Sequence, residues 1–177
     1  MALYLNVKID MKNTFLLLSL VFILTSGVRA QNNKLPELSL KNLKGESIDL
    51  QSFAGNGKIT VFSFWATWCA PCKKELKTLH EVYGEWQAKY NMELVAVSTD
   101  NARNTAKVKP FVDGQGWDFD VLLDVNENFK RAMNASNIPF TFVIDLEGNI
   151  VYTHLGYLDG DEAELEKVLE KLVQKKN

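Results

Sequence analysis

Hydrophobic positions along the chain change their period several times. Residues 58–67, KITVFSFWAT, carry no charge after Lys58 and are rich in β-branched and aromatic side chains, the pattern of a central strand buried on both faces. From Pro71 to about Tyr90 the apolar residues Leu76, Leu79, Val82, Tyr83 and Trp86 recur at helical spacing. MELVAVS, residues 92–98, then predicts a second buried strand. Upstream, PELSLKNLKGESIDL (36–50) alternates apolar and polar residues around Lys44-Gly45 and predicts a short hairpin.

The second half continues the alternation. Thr105 to about Asp113 predicts a helix disturbed by Pro110, and FDVLLD (119–124) a strand. Asp124-Val125-Asn126-Glu127 has the spacing of a capping box opening a short helix through Met133. FTFVIDLEGNIVYTHLG (140–156) predicts a β-hairpin turning on Glu147-Gly148-Asn149. Asp161-Glu162-Ala163-Glu164 is a second capping box, before a helix with the apolar stripe Leu165, Val168, Leu169 and Leu172.

The first thirty residues differ from the rest. A basic Lys12, the run FLLLSLVFIL (15–24) and the small residues around Val28-Arg29-Ala30 read as a secretory signal peptide cleaved after Ala30, with Met11 as a second candidate start. An uncleaved anchor is the other reading, and would be the chain's only membrane contact. Ten apolar residues are short of the roughly 20 that span a bilayer. The mature chain, residues 31–177, is then a single domain large enough for a true core. Losing Lys8, Lys12, Arg29 and Asp10 with the leader takes the formal charge from −2 to −4. That acidity, with scattered basic residues, argues against a nucleic-acid partner.

The chain has two cysteines, Cys69 and Cys72, in WATWCAPCKKE (65–75). Cys69 falls where a buried strand gives way to a helix, so unpaired backbone N–H groups and the positive end of the helix dipole favour its thiolate. Cys72, just under one turn further, is placed to resolve a mixed disulfide formed by Cys69. Pro71 is tolerated because first-turn N–H groups have no helical partner. A zinc site needs three or four ligands, and the only histidines, His80 and His154, make no metal motif with the pair. A structural clip would close so small a loop that it gains little. Redox chemistry is the leading reading, with no metal and no cofactor beyond a redox-active Cys69–Cys72 disulfide.

FSFWATWCAPCKKE, followed some seventy residues later by NIPFTFVIDLEGNIV, resembles the thioredoxin superfamily, and within it the exported thiol-disulfide oxidoreductases of the TlpA/ResA group. The resemblance implies an α/β thioredoxin-like fold: a central mixed sheet flanked by helices, with an N-terminal β-hairpin and a central insertion at residues 101–123. It implies that Ile138-Pro139 is a cis peptide beside the dithiol, with Ile138 presenting its backbone to substrate. Glu75 matches a glutamate that tunes the cysteines in this group. A carboxylate there raises thiol pKa values and can shuttle protons; the plainer alternative is a solvated carboxylate paired with Lys74. Ser63 stands where thioredoxin has a buried aspartate.

Cys69, Cys72 and Glu75 are thus the expected catalytic residues. Trp68, Pro71, Ile138 and Pro139 are expected to contact substrate, while Trp65 is expected in the core. The resemblance further implies a periplasmic or other extracytoplasmic location, disulfide-containing exported proteins as substrates, apocytochrome c among them, and a membrane thiol-disulfide electron donor. A dithiol oxidase or isomerase is the alternative direction. A thiol peroxidase, or a non-catalytic binding module on the same scaffold, are the alternatives of another class.

Overall fold

The computed structural model describes residues 33–174. The proposed leader and its cleavage point lie outside these residues. Within them a seven-stranded sheet has the order β2-β1-β5-β4-β3-β6-β7. Its strands are β1 (Ser39–Asn42), β2 (Ser47–Asp49), β3 (Ile59–Trp65), β4 (Met92–Ser98), β5 (Asp120–Leu123), β6 (Phe140–Ile144) and β7 (Ile150–Leu155). β3, β4 and β5 run parallel, and the remaining pairings are antiparallel. This is a mixed thioredoxin-like sheet, with helices α1 (Ala70–Tyr90), α2 (Val108–Gln115), α3 (Asn128–Ala132) and α4 (Asp161–Gln174) on its faces.

Every residue of β3 and β4 is buried, and strand alternation divides them between two cores. Val61 and Trp65 point toward α1, α2 and α4, where Leu76, Leu79, Tyr83 and Trp86 of α1 and Leu165 and Leu169 of α4 meet them. Phe62 and Phe64 point the other way, toward Phe53, Phe129 and Phe142. Phe62 stacks on its cross-strand partner Phe142 with ring centroids 4.8 Å apart, and Phe129 meets Phe62, Phe64 and Phe142 edge-on. Such pairs contribute about 0.5–1.5 kcal/mol each beyond their burial. Helix α1 ends at Tyr90: its C-cap Asn91 still donates its N–H to Gln87 O, and a left-handed backbone there (φ 50°) turns the chain off the helix.

Three local expectations change in the structure. Pro110 does not disturb its helix: residues Thr105–Lys107 form a 3-10 turn, α2 starts at Val108, and Pro110 sits in the first turn, where no N–H is required. The box at Asp124–Glu127 does not form. Glu127 precedes α3 in a left-handed conformation with no side-chain cap, and the buried Asp124 carboxylate accepts the Lys130 N–H instead. At α4 the helix begins at Asp161 itself, whose carboxylate accepts from Leu158 N and faces His154 rather than closing a box with Glu164. Both carboxylates bond at spacings other than the box's, Asp124 six residues ahead and Asp161 three residues back and across to β7.

Candidate active site

The site lies where β3 ends and α1 begins. Cys69 is the N-cap of α1, in extended conformation (φ −85°, ψ 102°), and its Sγ accepts the Cys72 N–H at 3.3 Å. A sulfur so placed meets the unpaired donors and the positive end of a 21-residue helix, which favours a thiolate there. Cys69 and Cys72 are joined as a disulfide with Cα atoms 5.4 Å apart. Both are buried, Cys72 completely and Cys69 with a sliver of exposure. Pro71 occupies the first turn of the helix.

The loop that presents Cys69 is held from the neighbouring strand. Trp65 O accepts from both the N–H and the hydroxyl of Thr99. Two residues past the end of β4, the fully buried Asp100 accepts the Thr67 N–H at 2.8 Å, the Thr67 hydroxyl at 2.7 Å and the Ser98 hydroxyl at 3.0 Å. Neither Thr67 nor Asp100 stood out in the sequence. The available signal was the polar run Ser98-Thr99-Asp100 at the carboxyl end of a buried parallel strand, where α/β sheets place their functional groups.

Glu75 is not a solvated partner of Lys74. Lys74 pairs with Asp159 at the surface, whereas Glu75 is buried beneath α1. One carboxylate oxygen accepts the Ser63 hydroxyl at 2.8 Å and the other the Thr141 hydroxyl at 2.7 Å. Burial pushes its pKa up, and these two hydrogen bonds and the nearby His154 oppose that only in part. Ser63 therefore holds a carboxylate supplied by α1, one turn beyond Cys72.

The Ile138-Pro139 peptide is cis. Ile138, Pro139 and Pro71 line one groove, continued by Leu155, Gly156 and Leu158. Leu155 and Leu158 are 53% and 75% exposed, so this groove has an apolar rim. Trp68, 65% exposed, belongs to a different groove with Thr67, Lys73, Lys107 and Phe111. Lys73 lies over the Phe111 ring, 5.7 Å from its centroid. Trp65, as expected, is core.

A mixed sheet of this order, with a helix N-capped by the first cysteine of a CxxC pair, defines a thioredoxin-like thiol-disulfide oxidoreductase. The chain belongs to the AhpC/TSA family, whose model matches residues 32–153, and within it is a TlpA/ResA-like member. It is 34% identical over 117 residues to the thiol-disulfide oxidoreductase ResA of Halalkalibacterium halodurans, covering 66% of this chain and 64% of that protein. The thioredoxin-like protein YneN of Bacillus subtilis is 32% identical over 135 residues, 76% of each chain. Among solved structures, a thioredoxin-like protein from Porphyromonas gingivalis superposes with a TM-score of 0.73 at 48% identity, covering 81% of this chain and 94% of that one.

Proposed function

We propose that this protein is an extracytoplasmic disulfide reductase that takes electrons from a membrane thiol donor and passes them to disulfides of exported proteins. The observation that carries the reading is the Cys69 sulfur at the helix N-terminus, with Cys72 fully buried behind it and the buried Glu75 one helical turn further on. Cys69 attacks the substrate disulfide as the thiolate, and Cys72, with Glu75 as its base, resolves the mixed disulfide. Ile138, Pro139 and Pro71 receive the substrate backbone along the apolar groove, and Trp68 offers a second platform. No cofactor beyond the cysteine pair is needed, and neither nucleic acid nor metal enters the reaction.

Export is supported by the charge and hydrophobicity of residues 1–30, and the reductive direction by likeness to the ResA group. In an oxidising compartment a reductant must draw its electrons from a partner. Apocytochrome c, with its paired haem-binding cysteines, is one substrate of suitable chemistry.

Expression of the Cys72→Ser variant from the full chain tests the reading. It should accumulate mixed disulfides with exported proteins and with a membrane thiol protein, while Cys69→Ser traps nothing. Equal trapping by both variants would overturn the assignment of attacking and resolving cysteine. A Cys69 alkylation rate no faster than that of a free peptide thiol would point to a non-catalytic module, and capture of non-exported proteins alone would remove the export reading.

A further inference from the structure

One polar row crosses the otherwise apolar face of the sheet beneath α1. Ser63, Thr141 and His154 are successive register partners on β3, β6 and β7. The first two donate to Glu75, and the third brings its Nε2 within 3.1 Å of Asp161 Oδ2 on α4. Glu75, Thr141, His154 and Asp161 line a common cavity floored by Leu79 and Leu165, large enough for about one water molecule. The outer end is wet: the His154 and Asp161 side chains are 29% and 24% exposed. A buried carboxylate, a water-sized gap, an imidazole and a second carboxylate thus run in series toward solvent.

The dithiol cycle needs such a path. When the Cys69 thiolate attacks a substrate disulfide, the substrate S–S bond breaks, a Cys69–substrate bond forms, and the first substrate thiolate leaves and is protonated by solvent. Cys72 must then lose its S–H proton before attacking Cys69 Sγ. That attack forms the Cys69–Cys72 bond and releases the second substrate thiolate, completing transfer of two electrons. The Cys72 proton remains inside, because Cys72 has no contact with water and Glu75 almost none.

We propose that this proton passes to Glu75 and leaves through a water in the cavity to His154 and Asp161, which makes His154 a proton-relay residue for the resolving step. The inference rests on the reading of Cys72 and Glu75 given above. Asp161 holds the imidazole by its Nε2, as carboxylates orient histidines elsewhere, and histidine is the side chain suited to exchanging protons near neutrality. The other titratable groups facing the cavity are Tyr152 from β7, whose ring stacks on His154, Tyr157 from the loop after it, and Glu162 from α4. Tyr157 and Glu162 are engaged with each other, and Tyr157 also with Thr78. Burial raises the pKa of Glu75, which narrows the gap between it and a thiol or imidazole and so assists transfer in both directions.

The test follows the reduced protein mixed with oxidised glutathione, separating Cys69 attack from closure of the Cys69–Cys72 bond. His154→Ala should slow closure about ten-fold near neutral pH, well beyond any effect on attack through the substrate groove that His154 also lines, with an altered pH profile and recovery on adding free imidazole. Asp161→Asn, which can still accept the Leu158 N–H, should slow closure to a smaller degree, and carries the test if the first variant does not fold. Closure at the wild-type rate in both variants, or equal slowing of attack and closure without response to imidazole, would reduce the pair to a tie between β7 and α4. A wild-type protein that forms no mixed disulfide would instead overturn the dithiol reading on which the relay depends.

Discussion

The Ser63 hydroxyl donates to the Glu75 carboxylate over 2.8 Å inside the apolar core between sheet and helix α1. Neither residue would be expected there alone. A serine on a strand with seven buried positions leaves a polar group to satisfy, and a carboxylate on the buried face of a helix leaves a charge. Together with Thr141 they solve each other's problem, at the cost of an acid whose ionised form is held away from water.

That cost gives the first prediction. Burial raises the folded-state pKa of Glu75 above its unfolded value, so the folded protein holds this proton more tightly than the unfolded chain. The corresponding stability is fully present below about pH 4.5 and is lost as pH rises through the folded pKa. Glu75→Gln keeps the shape and removes the ionisation. It should raise stability near pH 8 by about 1–3 kcal/mol, narrow the difference at acid pH, and shift the titration of the reduced Cys72 thiol downward by removing a nearby negative charge. Denaturant melts across pH and thiol alkylation profiles measure both effects. Unchanged profiles for the variant would leave Glu75 with a packing role only.

Asp100 gives the second. Its fully buried carboxylate accepts three hydrogen bonds and ties the loop before Cys69 to the end of β4. Asp100→Ala strands the Thr67 N–H and hydroxyl and the Ser98 hydroxyl, at about 2–4 kcal/mol. It should also slow Cys69 alkylation severalfold, because the helix N-cap is no longer held. Asp100→Asn retains one acceptor oxygen and should recover part of both losses. Equilibrium unfolding and alkylation kinetics of the two variants provide the measurement.

The individual strands and helices were legible from local periodicity, while the mixed thioredoxin-like sheet was implied by the resemblance carried by FSFWATWCAPCKKE and NIPFTFVIDLEGNIV. Uninterrupted apolar runs place β3 and β4, 3.6-residue spacing places α1 and α4, and WCAPC falls at the strand-to-helix junction. Glu75 was half legible: it shares a helix face with Cys72 and Leu79, yet its partners lie 12 and 66 residues away. The same distance hides Thr67–Asp100, which is 33 residues apart. Nothing local in the sequence links His154 to Glu75, which faces it across β6. The capping boxes fail because Asp161 has a neighbour on β7 and Asp124 caps the first turn of α3 from six residues away rather than three.

Gly148 at the β6–β7 turn tests how the hairpin is seated. Its φ of +74° disfavours any side chain, and a Cβ built there would stand 2.7 Å from Ala54 Cβ. Gly148→Ala should therefore lose about 2–3 kcal/mol from strain and overlap combined. Adding Ala54→Gly removes the 2.7 Å overlap and leaves the backbone strain and a tight 3.2 Å approach to the residue 54 Cα, so the double variant should recover part of the loss beyond the sum of the single effects. Chemical denaturation of the four proteins in this cycle isolates the contact, and simple additivity would argue against it.

Trp68 tests the second groove. It is the large apolar side chain nearest Cys69 in sequence and stands 65% exposed, so it contributes little to the fold; Trp68→Ala should change stability by no more than about 0.5 kcal/mol. Its neighbours in the groove include Lys73 and Lys107, which gives the aromatic platform a basic border. An exposed indole beside a nucleophile is well suited to anchoring a protein substrate, whereas oxidised glutathione is too small to depend on it. The variant should raise KM for a protein disulfide about ten-fold, leave kcat near its original value, and leave glutathione exchange unchanged. Steady-state kinetics with both disulfides separate the outcomes. An equal effect on the two would place Trp68 in the electrostatics of Cys69, and no effect on either would leave the groove of Pro71, Ile138 and Pro139 as the sole substrate contact.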